Sequence, residues 1–421
     1  MKTTQAGLYI HIPFCLSKCG YCSFYSVSSV HLIPEFIKAV INEMAFYKSL
    51  VTSSDMGNLN SSAGNVNLSF PRKRESRKPL KSLDSRFRGN DMQGKMFKSF
   101  DTLYIGGGTP SLLSVQQIDD ILKAVNNNFN IDQHPEITME VNPGDMSLEY
   151  FQQLRKLGIN RLNIGIQSFD DAILKFLGRR HTAREARSVM DEARQAGFDN
   201  IGIDLIYGVY GQDMKTWRET LNKALSFFPE HLSCYQLSLE GKTPLYKQYR
   251  KDSLQLPSEN EALDFFMTTS QILTDAGYIH YEVSNFARTN SLKSRHNMKY
   301  WRHTPYLGLG PAAHSFIDRK RWWNRAAVKT YLRYISEGKM PVEKSEQLSI
   351  EQLALEALFL GMRTKDGIHL QQYKNRFDAD ILFDKKQVID ELMKKGLLEL
   401  KDGRLKPTLD GMAVADSLAL I

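Results

Sequence analysis

Short apolar runs rich in β-branched residues recur roughly every 30 residues once the segment 52–98 is set aside, with helical patterns between them. The runs are Leu8–Ile12, Thr102–Ile105, Ile137–Val141, Arg161–Ile166, Asn200–Ile206 and Leu232–Leu239. The helical patterns include Val115–Phe129, Leu148–Leu157, Ala183–Ala196 and Met214–Leu225, and Gly158 and Gly197 stand where two of them should stop. Strands that alternate with helices cannot pair as hairpins. They pair in parallel through right-handed crossovers. Six such units predict an α/β fold, an open partial (βα)6 barrel, with its chemistry at the carboxyl ends of the strands.

The segment 52–98 breaks this rhythm. It holds ten Lys/Arg against four Asp/Glu, and so carries most of the net charge of +8. It is polar, lacks an apolar period, and reads as a disordered basic insertion without a catalytic role. A basic arm for RNA or an anionic membrane is the sharper alternative. With the insertion aside, the charge gives no reason to expect a nucleic-acid partner. Four cysteines in 421 residues do not make a disulfide framework. No stretch reaches the roughly 20 apolar residues of a membrane span, and the first eight residues do not read as a signal peptide. A cytoplasmic protein is expected.

After about residue 245 the pattern changes. Residues 259–277 read as one long helix, and 281–323 as an irregular, aromatic-rich stretch. The end reads as helix 385–395, two short strands around Lys401-Asp402-Gly403, and helix 409–420. That order is winged-helix-like, and its mixed charges suit a packing module better than a DNA reader. The predicted domains are therefore 1–51 with 99–245 for the barrel, 52–98 for the insertion, 246–345 for a connecting region, and 346–421 for a mostly helical C-terminal domain.

The chemistry-bearing residues fall at the strand ends. Cys15, Cys19 and Cys22, spaced C-x3-C-x2-C, follow the first strand. Three thiolates suit a four-iron cluster with one open iron, whereas structural zinc wants four ligands, and the fourth cysteine, Cys234, is far away. Cys234 lies in a predicted strand and reads as a small core residue. Gly106-Gly107-Gly108-Thr109 follows the second strand, either as a plain tight turn or as exposed amides that grip an anion. Glu140, Gln167, Arg179 and Asp204 lie in or just after later strands, and Arg180 competes with Arg179 as the inward cation. Asp204 sits inside an apolar run, so it either caps a loop or meets a ligand. Far downstream, His296, Tyr300 and Trp301 offer an imidazole and flat rings. They form either a heme contact or an aromatic packing cluster around a hydrogen-bonded histidine.

The runs Tyr9–Phe24, Gly106–Ser111 and that around Asp204 together resemble the radical S-adenosylmethionine family. They are similar to its branch of oxygen-independent coproporphyrinogen oxidases and HemW-type heme chaperones. The resemblance spans nearly the whole chain except the insertion. It implies a radical-SAM barrel, with a [4Fe-4S] cluster on Cys15, Cys19 and Cys22. It further implies S-adenosyl-L-methionine contacts at Tyr9, Phe24, Gly107, Gly108, Thr109, Glu140, Gln167, Arg179 and Asp204.

Two departures separate the branch members. The oxidases place a further cysteine where this chain has Phe24, and they carry an amino-terminal extension where little precedes Tyr9. The run His296-Asn297-Met298-Lys299-Tyr300-Trp301 also resembles the heme motif of the chaperones. The resemblance thus implies a chaperone that binds heme and passes it to acceptor proteins, gated by cluster and cofactor, with homodimerisation and peripheral membrane contact as companions. The alternatives are an oxygen-independent coproporphyrinogen III oxidase and an RNA-modifying radical enzyme.

Overall fold

The computed structural model describes residues 5–52, 97–241, 243–251 and 254–418. All but the end residues of the basic segment lie outside those bounds, and so does the expectation made for it. The chain begins with β1 (Ala6–Ile12), α1 (Ile33–Thr52), β2 (Phe100–Gly107), α2 (Val115–Asn128), β3 (Ile131–Val141) and α3 (Leu148–Lys156). It continues with β4 (Arg161–Gln167), α4 (Asp171–Phe176), α5 (Ala183–Gln195), β5 (Ile201–Tyr207), α6 (Met214–Leu225) and β6 (His231–Gln236). These six strands pair in parallel and in chain order, as the rhythm predicts. Helix starts are locally encoded. Ser114 with Gln117 and Thr182 with Glu185 form reciprocal capping boxes, and Asp213 caps α6.

Next come α7 (Pro244–Tyr249), α8 (Glu259–Asp275), β7 (Ile279–Glu282), β8 (Asn285–Ala287), α9 (Arg295–Trp301) and β9 (Tyr306–Leu309). β10 (His314–Ile317), β11 (Lys320–Asn324), α10 (Val328–Ser336) and β12 (Val342–Gln347) follow. The irregular stretch expected over 281–323 instead carries several short strands and the helix α9. β9 pairs in parallel with β1, and β10 to β12 continue antiparallel beyond it. β8 and β7 extend the opposite side from β6. One open sheet of twelve strands results, with β12 and β7 at its edges. These added strands are three to six residues long, too short for an alternating pattern to declare itself.

A buried carboxylate ties this extension to α1. Glu43 Oε2 accepts from the Gly310 amide at 2.8 Å and the Tyr331 hydroxyl at 2.7 Å, and Oε1 accepts from Asn324 Nδ2 at 2.6 Å. Burial pushes its carboxyl up to about 7, and these hydrogen bonds pull against that.

The C-terminal part holds α11 (Ile350–Met362), β13 (Ile368–His369), α12 (Leu370–Phe377), α13 (Ile381–Asp384) and α14 (Lys386–Lys394). It ends with β14 (Leu398–Lys401), β15 (Arg404–Pro407), α15 (Leu409–Ala413) and α16 (Ala415–Leu418). The hairpin forms where expected, and β13 adds a third strand to it. The single helix expected over 409–420 is broken at Val414, which leaves helical backbone at φ −117°, ψ 27°. A small core of its own includes Leu358, Met362, Ile368, Ile389, Leu398 and Leu405. Among the described residues no helix is long and apolar enough to cross a membrane.

The two faces of the barrel strands differ in kind. Leu8, Ile10, Ile12, Leu103, Ile105, Met139, Leu162, Ile164, Ile203, Leu205 and Cys234 join the main apolar core against the helices. The alternate face carries Tyr9, Thr102, Tyr104, Glu140, Asn163 and Asp204, which meet one another and α9 across the barrel interior. A polar interior of this kind must find partners for every group or present it to a ligand.

Candidate functional site

The cysteine loop leaves the carboxyl end of β1. Its two ends are clasped together: the Val27 amide donates to Pro13 O at 2.8 Å and the Cys15 amide to Val27 O at 3.0 Å. Phe14 is fully buried beneath the clasp and packs edge-on against Phe36, with ring centroids 5.4 Å apart. The Leu245 amide donates to Gly20 O at 3.0 Å and ties the far side to α7. So anchored, the loop offers three free, partly exposed thiols, Cys15, Cys19 and Cys22. Burial pushes the Cys22 thiol up, and Cys19 and Cys15 nearby add to the effect. Thr109 Oγ1 donates to Cys15 Sγ at 3.4 Å, and Arg179 Nη1 to Cys19 Sγ at 3.8 Å. Among the described residues no three acidic, histidine or cysteine groups are drawn around one ion. A cubane takes one thiolate at each of three corners and does not ask for that convergence. His11 does not belong with the thiols. Its ring nitrogens meet the Tyr9 hydroxyl at 3.0 Å and Tyr25 O at 2.9 Å inside the barrel.

The glycine run corrects one expectation. Its amides do not stand open for an anion: Gly107 donates to Glu140 Oε2 at 2.9 Å, and Gly108 to Ile12 O at 2.7 Å. The glycines are demanded by crowding. A Cβ on Gly107 would lie 2.5 Å from the His11 ring, and one on Gly108 2.5 Å from Phe14 O. The run lets β2 close against the cysteine loop and places Thr109 beneath Cys15. Glu140, which also accepts from the Tyr104 hydroxyl at 2.9 Å, is held up to about 7 by burial.

At the same mouth Asn142 joins the parts. Its Nδ2 donates to Thr109 Oγ1 at 3.1 Å, and its Oδ1 accepts from Arg179 Nη2 at 2.7 Å. Arg179 turns inward, with a further bond to Gly165 O at 2.8 Å, and its buried Nε has no partner. Arg180 borders the same cavity but is paired with Asp145, whereas Arg179 reaches Cys19 and Asn142. Gln167 ends β4 in left-handed backbone at φ 67°, strained for a residue with a Cβ, and its amide lies over Gly165. Asp204 caps no loop. Its Oδ2 accepts from Asn163 Nδ2 at 2.6 Å, while its buried Oδ1 has no partner. Burial raises its carboxyl to about 6 against the hydrogen bonds from Ser233 and Asn163. Phe24 is exposed at the lip of the loop. Three thiols, an inward guanidinium with a free Nε and a carboxylate with a free oxygen fit a cluster beside a small zwitterion. Asn142 and Asn163 were missed in the sequence; their only signal was position at or inside the ends of β3 and β4.

His296 and Tyr300 lie at the other end. α9 plugs the amino-terminal end of the barrel, and Glu136 accepts from the Arg295 and His296 amides at 3.0 and 2.9 Å, capping the helix start. His296 is 1% exposed. Its Nδ1 meets Thr102 Oγ1 at 2.9 Å and its Nε2 the Tyr300 hydroxyl at 3.0 Å, with Tyr104 5.1 Å away ring to ring. Burial holds its imidazole down at about 3, so it is neutral and fully engaged. In this structure His296 is buried and bonded within the chain, and Tyr300 is half-buried beside it. Trp301 alone of the three borders a cleft, between α9 and the C-terminal part. Cys234 is buried in β6, and burial pushes its thiol up, as a core residue requires.

Residues 91–224 match the family pattern of the Radical SAM superfamily, and residues 348–414 that of the HemN C-terminal domain. The chain is 31% identical to the heme chaperone HemW of Lactococcus lactis over 97% of its own length and 95% of that protein's. It is 30% identical to HemW of Bacillus subtilis, covering 97% of each chain. It is also 31% identical to the mouse mitochondrial radical S-adenosyl methionine domain-containing protein 1, across 99% of this chain and 87% of that one. Its fold superposes on coproporphyrinogen III oxidase (HemN) of Escherichia coli with a TM-score of 0.77 at 21% identity, over 99% of this chain and 89% of the oxidase.

Proposed function

The chain belongs to the radical SAM superfamily and, within it, to the HemW heme chaperone family, and from that premise we propose that it binds heme and delivers it to acceptor proteins. Its cofactors are a [4Fe-4S] cluster and S-adenosyl-L-methionine. We assign the cluster to Cys15, Cys19 and Cys22. When bound, it supplies an iron with an open position and a source of single electrons.

The chain's own groups prepare that mouth. Arg179 offers its unpartnered Nε to a carboxylate, and Asp204 its free Oδ1 to a ribose hydroxyl or an amine. Thr109 and Asn142 hold Arg179 and Cys15 in register. Gly107 and Gly108 act by making room, and Glu140, Tyr9 and Gln167 shape the wall beneath. Phe24 offers an exposed ring at the lip. His296 and Tyr300 secure the barrel's amino end, and Trp301 is the residue of that motif open to a ligand. A cytoplasmic location, a homodimer, transient membrane contact and no nucleic-acid partner complete the proposal.

The observation that carries it is full-length similarity to heme chaperones in a chain whose three loop thiols are free. The test is to titrate anaerobically reconstituted protein with heme and then add an apo acceptor. Heme should bind and move to the acceptor. Robust conversion of coproporphyrinogen III to protoporphyrinogen by the same preparation would overturn the chaperone reading.

A further inference from the structure

The two edges of the twelve-stranded sheet are finished differently. At β7 the backbone is taken up by the segment that follows α11: the Val283 amide donates to Arg363 O and the Lys365 amide to Tyr281 O, each at 3.0 Å. β12 pairs with β11 on one side and, among the described residues, with no strand on the other. The Leu348 amide donates inward to Arg319 O at 2.8 Å, and the register carries that pairing on to Glu346 opposite Arg321 and Lys344 opposite Trp323. Backbone groups alternate along a strand, so Ser345 and Gln347 direct theirs outward.

Such an edge is a template for another strand, and charge usually guards it. The charges of β12 do more than guard it, because they are self-complementary. A two-fold axis through Ser345 sets a second copy of β12 antiparallel to the first. Ser345 then faces its own equivalent, their outward amides and carbonyls exchange hydrogen bonds, and Lys344 of each copy lies opposite Glu346 of the other. Axes through Lys344 or Glu346 would set like charges face to face. Both side chains are exposed. Lys344 has no ion pair among the described residues, and Glu346 shares Arg321, 3.1 Å away, with Glu356. Opposite charges facing each other across strands stabilise a sheet, and like charges oppose it.

We propose that the β12 edge is the interface between two copies of this chain, joined antiparallel about Ser345 into one continuous sheet. This rests on the homodimer reading above and gives it a surface. β9, β10 and β11 stand between that seam and β1, the strand that carries the cysteine loop. The contact is short, so the dimer is weak and reversible.

The test is sedimentation of the full chain, with its cluster reconstituted and S-adenosyl-L-methionine present, across a range of concentrations. Lys344→Glu and Glu346→Lys should each weaken self-association about tenfold. An equimolar mixture of the two variants should associate as the unaltered chain does, because every facing pair is then of opposite charge. A chain carrying both changes should recover for the same reason. A fold damaged by the substitutions could give neither recovery. If the unaltered chain dimerises and the single variants dimerise equally well, the edge proposal is overturned and the homodimer reading stands. Weakening without recovery in the mixture would overturn the pairing about Ser345 in the same way. If the unaltered chain stays monomeric at every concentration, both fall.

Discussion

The two ends of one barrel use the same kinds of side chain to opposite purposes. At the amino end, Glu136 caps α9 with both carboxylate oxygens, and both nitrogens of His296 are bonded within the chain. Arg161 bonds to Asn200 and to Leu292 O. At the carboxyl end, Arg179 keeps a buried Nε and Asp204 a buried oxygen with no partner, beside three free thiols. The division is not perfect, since Thr138 Oγ1 and His231 Nδ1 are also left over inside. The lesson is that satisfaction, rather than residue type or burial, separates a polar group that holds the fold from one that waits for a ligand.

The comparison can be broken in four ways. The strongest is Cys19→Ser, which should abolish the brown cluster absorbance and bound iron while leaving the far-ultraviolet circular dichroism in place. Persistent iron would reassign the ligands. Next is His296→Ala at the sealed end. Loss of a buried ring and stranding of Thr102 and Tyr300 should cost about 2–4 kcal/mol of folding stability in a denaturant titration. A neutral result there would undo the plug. Third is Arg179→Ala at the open end. Affinity for S-adenosyl-L-methionine should fall about tenfold or more by calorimetry, with far less effect on stability than His296→Ala has.

The smallest effect is one of pH. Glu140 keeps its proton up to about 7 when folded, above its ordinary 4.5. The folded chain therefore holds a proton that the unfolded chain releases. The stability this contributes is complete below the unfolded value and disappears as pH rises through the folded one. Between about pH 5 and pH 7, the cofactor-free protein should lose stability relative to Glu140→Gln. Parallel pH profiles for the two would mean the carboxyl is not so held.

Much of the barrel was legible because its six strands are long enough to show apolar runs and its helices carry their own caps. The strands β9 to β12 were not, because four to six residues barely define a period. The cysteine triad was legible by spacing alone. The roles of Gly107, Gly108 and His296 were not, since a sequence gives residue type but not the partner across the barrel. The glycine amides turned out to be spent on Glu140 and Ile12. The histidine turned out to be spent on Thr102 and Tyr300. Arg179 could not be told from Arg180 until Asp145 was seen to take the latter.

β1 is paired on one side with β2 and on the other with β9, so that Gly7 meets Tyr306 and Ile10 meets Leu309. The cysteine loop is translated long before β9, so the strand that carries it lacks one neighbour until β9 has been made. Metal loading that depends on a finished mouth therefore waits at least until β9 has been made. A chain truncated before Tyr306 would carry all three thiols and still lack the scaffold that aims them.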